Sequence, residues 1–148
     1  MKVLFVGIGS IGTRHLRNLH TVAAERGLAL EVTALRSSPR PLADDVAALI
    51  DNQIMALDDT VYDLAFITNP TTLHYNALKD LKGKSKFFFI EKPIFEDSIY
   101  DIDELGLTDE NAYVASTMVF SPANEREAIT DSIKNYYSIA IDGISKEF

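Results

Sequence analysis

The residues with the plainest chemical potential stand near the start of the chain, in the run Gly7-Ile8-Gly9-Ser10-Ile11-Gly12. This spacing suits a pyrophosphate. Gly7 permits a tight turn, Gly9 lets backbone approach the phosphates with no Cβ in the way, and Gly12 lets a following helix pack closely on the preceding strand. The free N–H groups around Ser10 and Ile11, at the positive end of that helix, would then face the anion. Glycines meet this spacing by chance often enough that the pattern alone is weak. Its context strengthens it, because the run closes an apolar stretch and opens an amphipathic one. The competing reading is a glycine turn that serves only as a tight strand–helix junction.

A second cluster lies where the cofactor's ribose would be read. A site specific for NAD usually places Asp or Glu roughly 20 residues past the turn, to bond the ribose 2′-hydroxyl. The sequence instead reads Arg36-Ser37-Ser38, with Arg40 close behind. Arginine can pair a 2′-phosphate bidentately, and serine hydroxyls can add hydrogen bonds. The expectation is therefore NADP(H) in preference to NAD(H). Ordinary loop arginines with no ligand are the alternative.

The elements that must position these residues follow from periodicity. Residues 2–6, 30–35, 62–68 and 86–90 are apolar runs rich in β-formers, as buried parallel strands require. Helical spacing is predicted from about Ile11 to Arg26 (Leu16, Leu19 and Ala23 inward). It recurs through Leu42, Val46 and Leu49, and again from Thr71 to Leu81 with Leu73, Ala77 and Leu81 inward. A brief strand is expected around residues 54–57, and no helix has room between it and Tyr62. Strands alternating with helices imply right-handed crossovers and an α/β fold, a doubly wound parallel sheet of Rossmann type. Beyond residue 91 the pattern loosens. The acidic stretch Glu96–Glu104 is read as a helix, residues 113–120 as a strand, 125–136 as a helix and 137–141 as a final strand.

Composition sets the outer limits. The chain has 148 residues with a formal net charge of −8, which argues against nucleic acid or an anionic membrane as the main partner. There is no cysteine, so disulfides, thiolate metal sites and cysteine nucleophiles are excluded. No apolar run approaches the roughly 20 residues that span a bilayer, and no secretory signal is evident. A cytoplasmic location is the simplest expectation. The three histidines, His15, His20 and His74, offer no metal-ligand spacing with nearby carboxylates; His15 and His20 receive no role.

Two further motifs complete a recognisable order. After the glycine turn come Ile67-Thr68-Asn69-Pro70 with His74, and then Glu91-Lys92-Pro93 directly behind a buried strand. In combination these resemble the N-terminal half of the glucose–fructose oxidoreductase, inositol dehydrogenase and MocA family, over about residues 2–122 and more faintly to 143. The resemblance implies that Thr68, Asn69, Pro70 and His74 lie beside the cofactor at the C-terminal edge of the sheet. It also implies that Glu91 and Lys92 lie near the nicotinamide ribose, with Pro93 in a turn and cis. Lys92 would be the catalytic lysine, orienting a substrate hydroxyl and tuning proton transfer; a solvated or ion-paired lysine is the alternative.

The sequence departs from the family in two respects. Val119, in Met118-Val119-Phe120-Ser121-Pro122, stands where the family's arginine is expected. The substrate domain is mostly missing. Residues 1–122 are thus read as the dinucleotide-binding domain, and 123–148 as a helix and lone strand left from a second domain. That strand could fold back, pair with a second copy to make a homodimer, or mark a truncation. Two functions compete: an NADP-dependent oxidoreductase piece acting on a sugar-like or polyol substrate, and a non-catalytic dinucleotide-binding or sensing module. A methyltransferase is disfavoured, because an acidic residue is normally wanted where Arg36 stands.

Overall fold

The computed structural model describes residues 1–115 and Ile141. Six strands form one parallel sheet: β1 (Lys2–Val6), β2 (Glu31–Leu35), β3 (Asn52–Ile54), β4 (Tyr62–Ile67), β5 (Ser85–Ile90) and β6 (Ala112–Val114). Their spatial order is β3-β2-β1-β4-β5-β6. The chain winds outward one way from β1 and then the other way from β4, which makes the gap between these two strands the topological switch point. Within residues 1–115 they are accompanied by α1 (Ser10–Glu25), α2 (Asp44–Ala47) and α3 (His74–Asp80).

Alternation along each strand divides the core in two. Val3, Phe5, Val32, Leu64, Phe66, Phe87 and Phe89 face α1, where they meet Leu16, Leu19 and Val22. Leu4, Val6, Ala65, Ile67, Phe88 and Ile90 face the opposite way, onto Leu78 and Leu81. Both faces are buried, which explains why the strands read as continuous apolar runs.

Register aligns one row of side chains across the α1 face. Phe5 is opposite Phe66, Phe66 opposite Phe89, and Phe89 opposite Tyr113. The rings interact along the row: Phe5 stacks on Phe66 at 4.5 Å, and Phe66 tilts against Phe89 at 4.9 Å. Offset aromatic pairs of this kind add to the stabilisation from burial. The row lies one residue before the strand ends, directly beneath the edge where the candidate site residues emerge.

Several expectations need correction. The helix expected over residues 42–51 is only the single turn of α2, and the following strand begins two residues earlier than expected, as β3. Two acidic residues in its first turn help α2 start, but the only side chain it buries is Val46. The helix expected from Thr71 starts as a 3-10 turn over Thr71–Leu73, with α3 following. That tighter turn rotates the face: His74 and Leu78 are buried, whereas Leu73 is exposed. The acidic stretch holds only a 3-10 turn at Asp103–Leu105, which Asp101 Oδ1 opens by accepting from the Asp103 and Glu104 amides. Of the strand expected over 113–120, β6 spans Ala112–Val114, and residues 116–120 lie outside the described residues. The helix expected over 125–136 lies outside the described residues. Of the final strand, Ile141 is described; it is helical and buried with the α1-side core. A short apolar stretch satisfies either period, and there burial decides.

Phe66 touches both of its neighbours in the row and is fully buried. Phe66→Ala is therefore expected to lower unfolding stability by about 3–5 kcal/mol, and Phe66→Leu by clearly less. Urea denaturation measures both, and equal losses would contradict the role of the ring stack.

Candidate functional site

The sheet presents a common edge because the strands end in register: Val6 pairs with Leu35 and Ile67, and Ile67 with Ile90. Each of the sequence-predicted clusters leaves the sheet at this edge. Loop backbone is stitched to its neighbours there. Gly7 donates to Leu35 O at 3.0 Å, Arg36 to Ile54 O at 2.9 Å, Thr68 to Val6 O at 3.1 Å and Glu91 to Ile67 O at 3.0 Å.

The glycine turn is built on two close approaches. Gly7 has φ +89°, and a Cβ on it would lie 3.0 Å from the Asn69 Cα. A Cβ on Gly12 would lie 2.5 Å from the Gly7 carbonyl oxygen and 2.9 Å from Thr68 Oγ1. The Thr68 hydroxyl donates to Gly7 O at 2.8 Å, so this buried threonine holds the turn against β4. Gly9 differs: no atom of the described residues lies within 4 Å of the place its Cβ would occupy. It begins α1 without a side-chain cap, and Ser10 beside it is exposed. The first-turn N–H groups around Ser10 and Ile11 thus face open space at the positive helix end.

Across the switch point, Asn69 supplies a second sign of an absent partner. Its Oδ1 is buried and has no hydrogen-bond partner among the described residues, while its Nδ2 donates to Leu73 O at 3.4 Å. Buried polar atoms are normally satisfied, and an orphan next to an open anion cradle points to a ligand group there. These features fit a dinucleotide: room for phosphates at Gly9, unspent donors on α1 and an unspent acceptor on Asn69.

At the end of β2 the Arg36 guanidinium donates to Gln53 Oε1 at 2.8 Å and to the Arg40 carbonyl oxygen. Arg40 N donates to Ser38 Oγ at 3.2 Å. Arg36 thus organises its own loop, spending two of its five donors. Ser37, Ser38 and Arg40 are exposed. No carboxylate follows β2 in this loop.

The third cluster is more tightly held than the sequence indicates. His74, the first residue of α3, is 1% exposed; its Nε2 lies 2.8 Å from Asn69 O and its Nδ1 2.9 Å from Ile94 O. Both partners are acceptors, so whichever ring nitrogen carries a proton donates it. His74 therefore joins the Asn69-Pro70 turn to the segment after β5. In that segment the Lys92–Pro93 peptide is cis. Lys92 is exposed, and its amine makes no hydrogen bond or ion pair among the described residues. Pro70 is exposed, at the entry to the 3-10 turn.

His15 is the residue the sequence reading passed over. Its Nε2 hydrogen-bonds Glu91 Oε1, and the other oxygen of that carboxylate accepts from Lys92 N at 3.1 Å. Partial burial raises the Glu91 pKa. The hydrogen bond from His15, that ring's charge when protonated, the Lys92 N–H and His74 outweigh it, leaving the carboxyl below the ordinary glutamate range. His20 has a plainer part, with Nε2 placed 2.9 Å from Leu49 O, which ties α1 to the segment after α2.

A carboxyl whose folded pKa lies below its unfolded value stabilises the fold fully above about pH 4.3, and loses that contribution as pH falls through the folded value. Glu91→Gln should accordingly cost most stability near neutral pH, and the gap from wild type should narrow in acid. Denaturant melts across about pH 3–7 test this, and a gap independent of pH would contradict it.

Comparison with known proteins agrees with the geometry. The Gfo/Idh/MocA family model, described as an oxidoreductase family with an NAD-binding Rossmann fold, matches residues 1–120. No curated protein matches the chain. Among solved structures, apo scyllo-inositol dehydrogenase from Lactobacillus casei is 27% identical with a TM-score of 0.52, over 66% of this chain and 30% of that one. myo-Inositol 2-dehydrogenase from Lactobacillus plantarum is 23% identical with a TM-score of 0.55, over 72% of this chain and 32% of that one. Levoglucosan dehydrogenase in complex with NADH and levoglucosan is 19% identical with a TM-score of 0.54, over 64% of this chain and 28% of that one. The last two likenesses speak for the fold alone. The matched part of this chain corresponds to between 28% and 32% of those chains. With a glycine turn opening α1, a 3-2-1-4-5-6 parallel sheet and a family match over most of the chain, this protein belongs to the Gfo/Idh/MocA oxidoreductase family and carries its NAD-binding Rossmann domain.

Proposed function

We propose that the chain is the cofactor-binding part of an oxidoreductase that prefers NADP(H), and that with a second domain it transfers hydride to or from a sugar-like or polyol substrate. The observation that carries the reading is the cradle at the switch point. Gly9 leaves space for phosphates, α1 begins without a side-chain cap, and Asn69 Oδ1 lies buried without a partner among the described residues. Gly7, Gly9, Ser10, Ile11 and Gly12 would hold the pyrophosphate. Thr68, Asn69 and Pro70 would line the cofactor's path along the sheet edge, with His74 fixing that turn from behind.

The preference for NADP(H) rests on the end of β2. The loop after β2 holds no carboxylate between residues 36 and 43 to oppose a 2′-phosphate directly, and Arg36 keeps three donors beyond those it spends on Gln53 and Arg40. Ser37, Ser38 and Arg40 stand exposed around it. A 2′-phosphate there would meet a cation already held in place.

When bound, the cofactor supplies the hydride chemistry. The chain's own contribution is to orient. Glu91 and Lys92 leave the sheet on the far side of the switch point from Arg36, with strand order separating the two ends of an extended ligand. Lys92 presents an exposed amine to a substrate hydroxyl from a backbone fixed on both sides, where it can hold or pass a proton. The likeness to scyllo-inositol dehydrogenase, at 27% identity, supports a hydroxylated substrate class. We place the boundary of the Rossmann domain near residue 122 and assign residues 123–148 to the start of a second domain. No helix among the described residues is long and apolar enough to cross a membrane, and a cysteine-free chain suits the cytoplasm.

Fluorescence titration with both reduced cofactors tests the proposal. NADPH is expected to bind at least tenfold more tightly than NADH, and Arg36→Ala to remove most of that difference, as loss of a charge-assisted phosphate contact predicts. Tighter binding of NADH would overturn the preference. Binding without turnover on any polyol or sugar, unaffected by Lys92→Ala, would favour a sensing module instead.

A further inference from the structure

We infer that His15 is a positioning residue that acts through Glu91 on Lys92, and so ties the phosphate-facing end of α1 to the edge where Lys92 stands. Its consequence for cofactor binding rests on the reading above; its geometry does not.

The imidazole is 9% exposed and lies on the inner face of α1, one turn beyond Gly12. Two rings of the aromatic row fix its orientation: Phe89 meets it edge-on at 4.9 Å and Phe66 is tilted against it at 5.9 Å. So held, its Nε2 faces Glu91 Oε1. The carboxylate is bound at both oxygens, since Oε2 accepts from the Lys92 amide at 3.1 Å. On the other flank, the Ile94 carbonyl lies 2.9 Å from His74 Nδ1. The segment Glu91–Ile94 is therefore pinned from α1 on one side and from α3 on the other, with the Lys92 side chain exposed between the pins.

Ring packing alone does not account for this arrangement. A phenylalanine at position 15 would fill the same space between Phe66 and Phe89. What it could not do is hold a half-buried carboxylate that in turn holds the Lys92 backbone. Hydrogen bonds to charged groups are the stronger class, and leaving the carboxylate unpartnered costs more than the bond itself contributes. Two such bonds in series connect the helix whose first turn faces the phosphates to the root of the lysine. Any settling of α1 onto an anion is passed along them.

The test uses the full chain as His15→Phe, His15→Gln, Glu91→Ala and the double variant His15→Phe/Glu91→Ala, with thermal melts to confirm folding. Glutamine keeps an N–H at similar reach, whereas phenylalanine keeps only the packing. The first readout needs no cofactor. Amide exchange at Lys92 is expected to quicken about tenfold in His15→Phe and to stay within about threefold of wild type in His15→Gln. The second is the NADPH dissociation constant, expected to rise about tenfold in His15→Phe, to be largely restored in His15→Gln, and to show no further rise when His15→Phe is added to Glu91→Ala. Unchanged exchange at Lys92, equal loss in both His15 variants, or additive effects in the double variant would overturn the inference. If wild type binds neither NADPH nor NADH, the cofactor-binding reading fails, and amide exchange still decides the role of His15.

Discussion

The close approach of α1 to the ends of β1 and β4 is the constraint on which the rest of the molecule depends. A single methyl group on Gly12 would fall 2.5 Å from the Gly7 carbonyl oxygen, and one on Gly7 would crowd the Asn69 backbone at 3.0 Å. No side chain beyond hydrogen is compatible with that junction, and its tightness has three results. It brings the helix's positive end to the switch point. It lets Thr68 hydroxyl close the turn onto β4. It also sets the depth at which the inner face of α1 meets the aromatic row, and so places His15 level with the end of β5.

Charge makes the local devices necessary. The chain carries a net −8, so its overall field works against a dinucleotide with two or three phosphates. On the proposed reading, attraction comes from short-range groups that net charge does not cancel: uncapped N–H groups on α1 and the guanidinium of Arg36. The same logic governs Glu91. An unpaired carboxylate at a partly buried, crowded edge would be costly. Here its charge is shared among an imidazole, a backbone N–H and the neighbouring His74, which keeps it ionised and fixed.

Much of this architecture was legible in the sequence because it follows from local rules. The four central strands are continuous apolar runs, and a strand buried on both faces has few other ways to look. The glycine turn is legible because three positions each forbid a side chain or need space for a ligand. Other features depend on contacts that pattern cannot reveal. His15 reaches a partner 76 residues away in sequence, and no spacing rule names that partner. A signal did exist: His15 lies on the face shared by Gly12, Leu16 and Leu19, and a polar ring among core positions demands a buried partner. The sequence marks Arg36 as a candidate ligand residue, while its bonds to Gln53 and Arg40 show that it also builds its loop. The start of α3 misled because one 3-10 turn is enough to exchange Leu73 for His74 on the inner face.

The account's central claim is that one extended cofactor lies along this edge, from the loop after β2, past the glycine turn, to the segment after β5. Amide chemical-shift mapping of the isotopically labelled chain during titration with NADPH tests it most directly. The account predicts saturable shifts in three separated groups: Gly7 to Gly12, Arg36 to Arg40, and Asn69 together with Glu91 and Lys92. Shifts confined to other surfaces, or a glycine turn that does not respond at saturation, would contradict it.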